Sequence, residues 1–172
     1  MIIGIAKDKE KQEELRPMQN DFKHKVDKSQ IPTCNIMGVN MAAIDMNWLL
    51  DFTYKNIKEL SGDYLCVANV HTTVTAFEDK KYRAVQNGGI MAIPDGGPLS
   101  SVGRKRGHKK MSRTTGPSYM GEILKVSVEK GYSHYFYGST EETLEKLHKV
   151  LNESYPGIKI AGMYSPPFRP MT

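Results

Sequence analysis

Gly89-Ile90-Met91-Ala92-Ile93-Pro94-Asp95-Gly96-Gly97-Pro98 is the stretch whose reading decides the fold. Its first half is a short unbroken apolar run, the pattern of a strand buried on both faces of a parallel sheet. Pro94 and the glycine pair end the run abruptly, since proline cannot donate to a ladder and glycine favours a turn. Asp95 therefore falls at a strand's carboxyl end, where open α/β sheets keep their ligands. Two readings of Asp95 are open here: a general base in the crevice, or a turn aspartate capping the next helix.

The same alternation repeats on either side of this stretch. Upstream, Asn35-Ile36-Met37-Gly38-Val39-Asn40-Met41 predicts a strand or hairpin, and Ile44 to Leu60 an amphipathic helix with Asp45 as N-cap and Gly62 past its end. Tyr64 to Val70 predicts a strand and Thr73 to Asn87 one helix. Downstream come a short helix, a basic segment, a helix from Tyr119 to Lys130, a strand from Tyr132 to Tyr137, a helix from Glu141 to Ser154 capped by Ser139 or Thr140, and a strand from Ile158 to Gly162. Strands separated by helices of this length imply right-handed crossovers and a mainly parallel, Rossmann-like α/β sheet with helices on both faces.

Residues 1–33 are mostly polar and predict a mobile leader, with one ordered α/β domain over 34–172. The 172 residues, 39% hydrophobic and 25% charged, suit one globular domain. No run approaches the roughly 18 apolar residues of a membrane span, and the start lacks signal-peptide character, so a cytoplasmic location is expected. Cys34 and Cys66 have no metal-ligand spacing and predict reduced core thiols.

The formal charge of +5 is concentrated in Arg104, Lys105, Arg106, Lys109, Lys110 and Arg113. Such a segment calls for an anion: nucleic acid, an anionic membrane surface, a substrate diphosphate, or only solvent. No aromatic residues alternate with these cations and no nucleic-acid-binding motif accompanies them, so no nucleic-acid partner is expected.

In this topology the loops after Ala68, Ile93 and Tyr137 are expected at one sheet edge. They carry Asn69 and His71, Asp95 and Gly96, and Gly138-Ser139-Thr140. Gly138 with two hydroxyl residues before a helix suits either a phosphate or ordinary capping. Thr114-Thr115-Gly116-Pro117 is a second approach of this kind. His71 is a second candidate base or a packed, capping histidine. The sequence has no Ser-His-Asp order, D-x-D or H-E-x-x-H, which argues against acyl transfer and metal dependence.

Six ordered blocks together resemble the WecG/TagA/CpsF glycosyltransferases. They are Cys66-Val67-Ala68-Asn69-Val70-His71, Ile93-Pro94-Asp95-Gly96, Thr114-Thr115-Gly116-Pro117, Phe136-Tyr137-Gly138-Ser139, Tyr155 to Gly162, and Ser165-Pro166-Pro167-Phe168-Arg169. The resemblance implies an inverting, metal-independent enzyme that needs no cofactor. It would move a sugar, N-acetylmannosamine or a related hexose, from a UDP donor to a polyprenyl-diphosphate-linked N-acetylglucosamine at the cytoplasmic membrane face. The product would enter teichoic acid, common antigen or capsule. By position, Asp95 matches the base and Asn69 the polar residue beside the sugar. Gly116, Pro117 and Gly138 match the nucleotide loops, and His71, Gly96, Arg113, Thr114 and Ser139 join them as candidate substrate contacts.

Many members of the family have threonine where Val67 stands and aspartate near Ser118. The family also continues beyond Arg169 with a Gly-rich block and a basic tail. The resemblance therefore implies a domain truncated at its C-terminus, with an exposed apolar edge that favours homo-oligomers. It leaves a second reading, a catalytically inactive remnant that binds nucleotide sugar or a partner.

Overall fold

The computed structural model describes residues 23–169, which form an α/β structure with a mostly parallel, Rossmann-like sheet. The described chain divides into two compact units, one running to Tyr119 and one starting at Met120. The strands accordingly form two sheets rather than one.

The first unit holds a four-stranded sheet in the order β1-β2-β4-β3. β1 (Thr33–Ile36) and β2 (Val39–Ala42) make the expected hairpin. Its turn places Met37 and Gly38 at φ of 52° and 87°, the left-handed pair that two-residue hairpins need. β3 (Leu65–Ala68) and β2 flank β4 (Met91–Pro94), both parallel to it. Alternate residues of β4 enter opposite cores, and every one is buried. Ala92 joins Met41, Ala68, Ala76 and Leu99 on one face, whereas Met91 and Ile93 join Ala42, Leu49 and Phe52 on the other.

Helices cover both faces. α1 (Met46–Asn56) begins where Asp45 accepts the Trp48 N–H, as its spacing predicts, and turns Leu49, Phe52 and Thr53 inward. The Thr53 hydroxyl donates to the Leu49 carbonyl and lies 2.8 Å from the Tyr119 hydroxyl, whose pKa burial pushes up. The opposite face carries α2 (Val70–Glu78), α3 (Lys80–Gly88) and α4 (Gly97–Lys105).

The single helix expected from Thr73 to Asn87 is thus two. Asp79 ends α2 and caps α3, accepting the Lys81 and Tyr82 N–H groups on one carboxylate oxygen. Competition of a short carboxylate for backbone donors outweighs the continuous helical pattern.

Part of the expected leader is packed. Residues 1–22 lie outside the described residues, but Val26 and Ile31 are buried in the core with Leu49 and Ile93. Between them, a short 3-10 helix at Lys28–Gln30 is capped by Asp27. The Lys28 ammonium donates to the carbonyls of Asn87 and Gly89, closing the end of α3, and burial lowers its pKa. Two apolar anchors suffice to seat an otherwise polar segment.

Gly89 is required by close approach. A Cβ there would stand 2.5 Å from the Tyr64 carbonyl oxygen and 2.8 Å from the Tyr64 ring, while that same carbonyl receives the Ile90 N–H at 2.9 Å. Gly89→Ala is expected to destabilise the protein by about 2 kcal/mol in urea unfolding, because the obstacle is backbone and cannot swing away. Unchanged stability would mean the strands part without cost.

The second unit contains most of α5 (Gly116–Lys130), then β5 (Ser133–Tyr137), α6 (Glu141–Ser154) and β6 (Lys159–Tyr164). β5 and β6 are parallel, and Leu124, Phe136, Leu144, Leu151 and Ile158 form their core. Burial pushes the His134 pKa down.

Cys34 and Cys66 are both free thiols. Cys34 is buried, Cys66 is half-buried, and desolvation pushes the Cys66 thiol up. Among the described residues, no helix is long and apolar enough to cross a membrane.

Candidate functional site

Ala68 and Pro94 pair in the parallel register of β3 and β4, so Asn69 and Asp95 leave the sheet at one edge, as expected. Tyr137 instead ends a strand of the other sheet.

The backbone around Asp95 is held from both sides. Its N–H donates to the Ala68 carbonyl at 2.8 Å. The preceding Pro94 has no N–H, but its carbonyl accepts the Thr114 N–H at 2.8 Å and the Thr114 hydroxyl at 3.4 Å. Thr114 is fully buried, so the structure gives it a supporting place in the loop rather than a surface that a ligand could touch.

That loop brings two groups to the Asp95 carboxylate. The Arg113 guanidinium lies 3.7 Å from Oδ1, and the Gly116 N–H donates to Oδ2 at 3.5 Å. The Asp95 side chain keeps 21% of its surface open and Arg113 keeps 62%, so both remain within reach of a solute. An exposed pair at this distance adds little to stability.

Asp95 stands just before the next helix. The helix that follows it, α4, is capped by Gly96 without any side-chain hydrogen bond, and Pro98 fills its first turn. Asp95 does not cap that helix. Its carboxylate meets instead the start of α5, fifteen residues whose first turn carries no acidic side chain. Partial positive charge at that end favours an anion, and Asp95 stands within its reach.

Gly116 permits the approach of α5 to β3. A Cβ there would sit 3.3 Å from both methyls of Val67, which is itself 40% exposed at the end of β3. Pro117 is exposed in the first turn of α5, and Thr115 caps the helix by accepting the Ser118 N–H at 3.1 Å. The sequence marks the position of Val67 only by its place one residue before the end of β3.

Asn69 is the N-cap of α2. Its Oδ1 accepts the Thr72 N–H at 2.9 Å while the Thr72 hydroxyl accepts the Asn69 N–H at 2.9 Å. This reciprocal box commits the amide oxygen to the helix. His71 is exposed in the first turn of α2.

In the second unit, Gly138 and Ser139 have φ of 119° and 65°, and the Gly138 N–H donates to Tyr164. Thr140 caps α6 by accepting the Thr143 N–H, and Ser165 Oγ donates to the Ser139 carbonyl. Glu141 and Glu142 fill the first turn of α6. Those carboxylates already complement the helix dipole and would oppose a phosphate there. A cavity of about 440 Å³ beside them is lined by Glu141, Glu145, His148, Met163 and Tyr164.

Among the described residues, no group of three or more His, Cys, Asp or Glu side chains could hold a metal ion.

No curated protein matches the chain. The model of the glycosyl transferase WecG/TagA/CpsF family matches residues 34–172, from the first hairpin through the whole of both units' remaining sequence. A match over that much of 172 residues, with Asp95 open at the carboxyl end of β4, identifies the chain as a member of the WecG/TagA/CpsF family of glycosyltransferases.

Proposed function

We propose that the protein is an inverting glycosyltransferase that works without a metal or other cofactor. The donor is a UDP-sugar, N-acetylmannosamine or a related hexose. The acceptor is N-acetylglucosamine on a polyprenyl diphosphate at the inner face of the cell membrane, and the product serves teichoic acid, common antigen or capsule synthesis. The observation that carries this reading is the Asp95 carboxylate, which is at a strand end, partly open, and not used to cap α4.

Inversion needs one displacement. The acceptor hydroxyl oxygen bonds to the anomeric carbon as the bond from that carbon to the UDP oxygen breaks, and UDP leaves with the electron pair. Asp95 takes the hydroxyl proton. Negative charge growing on the diphosphate is met by Arg113 and the positive end of the α5 dipole, with Gly116 and Pro117 shaping the approach. Asn69 contributes the part of its amide not committed to the α2 cap, and His71 and Gly96 border the same edge. Gly138 and Ser139 are carried as nucleotide contacts by family position alone, and Glu141 and Glu142, which follow them, make their loop a poor seat for a phosphate.

Val67 favours a second reading. It places methyl groups beside Gly116 where the family resemblance puts a threonine hydroxyl, and loss of a polar contact there would leave a protein that binds nucleotide sugar without turning it over. The deciding assay supplies a panel of UDP-sugars, UDP-N-acetylmannosamine included, with a short-chain prenyl-diphosphate-N-acetylglucosamine, EDTA, and UDP release as readout. Turnover in EDTA is expected. A folded sample that binds UDP and releases none on incubation with donor and acceptor would establish the second reading instead.

A further inference from the structure

The helical face formed by α2, α3 and α4 is unlike the rest of the molecule. Between Val70 and Arg113 the sequence has nine lysines and arginines against three carboxylates, an excess greater than the net charge of the whole chain. α2 and α4 cover the same face of the sheet, where Ala76 and Leu99 share a core. They start side by side, since a Cβ on Gly96 would stand 3.8 Å from Val70.

The cations stand on a folded scaffold. The Arg104 guanidinium donates to the Met111 carbonyl and to Ser101, and that of Arg106 donates to the Asn35 carbonyl. Met111 is buried, which anchors the turn after α4. Lys105, Lys109 and Lys110 are left exposed around this turn, and none makes an ion pair among the described residues.

On the same face of the sheet, α2 is inverted relative to an ordinary surface helix. Its small residues Thr73 and Ala76 are buried, while Val70, Val74 and Phe77 face solvent, Phe77 at 56% exposure. The spacing of four and three residues puts all three on one stripe. An apolar stripe and unpaired lysines on one face are the two components of a surface that sits on an anionic bilayer: side chains that enter the headgroup boundary and cations that hold the lipid phosphates.

We propose that this face docks the protein on an anionic membrane, with Phe77, Val74 and Val70 entering the interface and Lys105, Lys109 and Lys110 on the lipid headgroups. A second copy of the chain is a poor occupant, because two such faces would oppose like charges. Nucleic acid would use the lysines but leave the apolar stripe in water. The inference rests on charge and exposure alone and does not depend on the transfer reaction.

The test is sedimentation of the full chain with vesicles of phosphatidylcholine, with or without phosphatidylglycerol. Binding is expected only to the anionic vesicles and should weaken as salt rises. Replacing Lys105, Lys109 and Lys110 together by glutamine should lower the partition coefficient about a hundredfold. Phe77→Ser should lower it several-fold with the salt dependence unchanged, and urea unfolding shows that each variant folds. Failure of the folded protein to sediment, or a lysine variant that binds as well as the parent, would overturn the proposal. So would tighter binding to a DNA or RNA oligonucleotide than to the vesicles. UDP release measured separately keeps this outcome distinct from that of the transfer reading.

Discussion

Asp95→Asn is expected to reduce sugar transfer by about a thousandfold, the scale on which a positioned general base acts. The amide keeps the shape of the carboxylate and can still accept the Gly116 N–H, so folding and UDP binding should survive. It cannot take a proton from the acceptor hydroxyl. The effect should fall on kcat rather than on donor KM, because the lost interaction arises as the hydroxyl attacks. Transfer at the parent rate would remove Asp95 from the chemistry and leave it as a helix-end ligand of α5.

Ile93→Ala, two residues away, should give the reverse pattern. Ile93 is fully buried between β4 and the core that contains Leu49 and Phe52. Removing its three outer carbons forfeits their transfer energy and leaves a cavity that parallel strands cannot easily close, a cost of about 3 to 4 kcal/mol. Ile93→Val keeps the β-branched shape and should cost only about 1 kcal/mol. Urea unfolding read by circular dichroism checks both values, and an alanine variant as stable as the valine one would mean that the sheet repacks around the site. The pair separates the residue that shapes the edge from the residue that acts at it.

Elements whose signals are local were legible from sequence. Thr140 followed by two glutamates starts α6, and Glu141–Ser154 is the span the pattern predicts. Asp45 caps α1 for the same reason. The position of Asp95 was legible because a proline and two glycines leave a strand no way to continue. α5 starts at Gly116, three residues before the expected Tyr119, because proline is well suited to a first helical turn and Pro117 lies inside the helix. The split at Asp79 was hidden by an apolar period that runs across it. Val26 and Ile31 went unnoticed because two anchors among many polar residues show no periodicity at all.

The site was legible only as a set of strand ends. Which loop comes back to Asp95 is a long-range fact: the pairing of Thr114 with Pro94 has no trace in the residues between them. Membership of the set also said nothing of orientation. Thr114 and Arg113 are neighbours in sequence, yet one is sealed beneath the loop and the other reaches out to the carboxylate.

The bonds from Asp95 to Ala68 and from Pro94 to Thr114 have a thermodynamic consequence. Fixing one residue's backbone costs about 1 to 2 kcal/mol of conformational entropy, and here that loss falls at folding, before any solute arrives. A molecule that meets this carboxylate need order only itself. Association at this edge should then carry a small entropic penalty from the protein, and differences in affinity among sugars should follow their own shape and solvation.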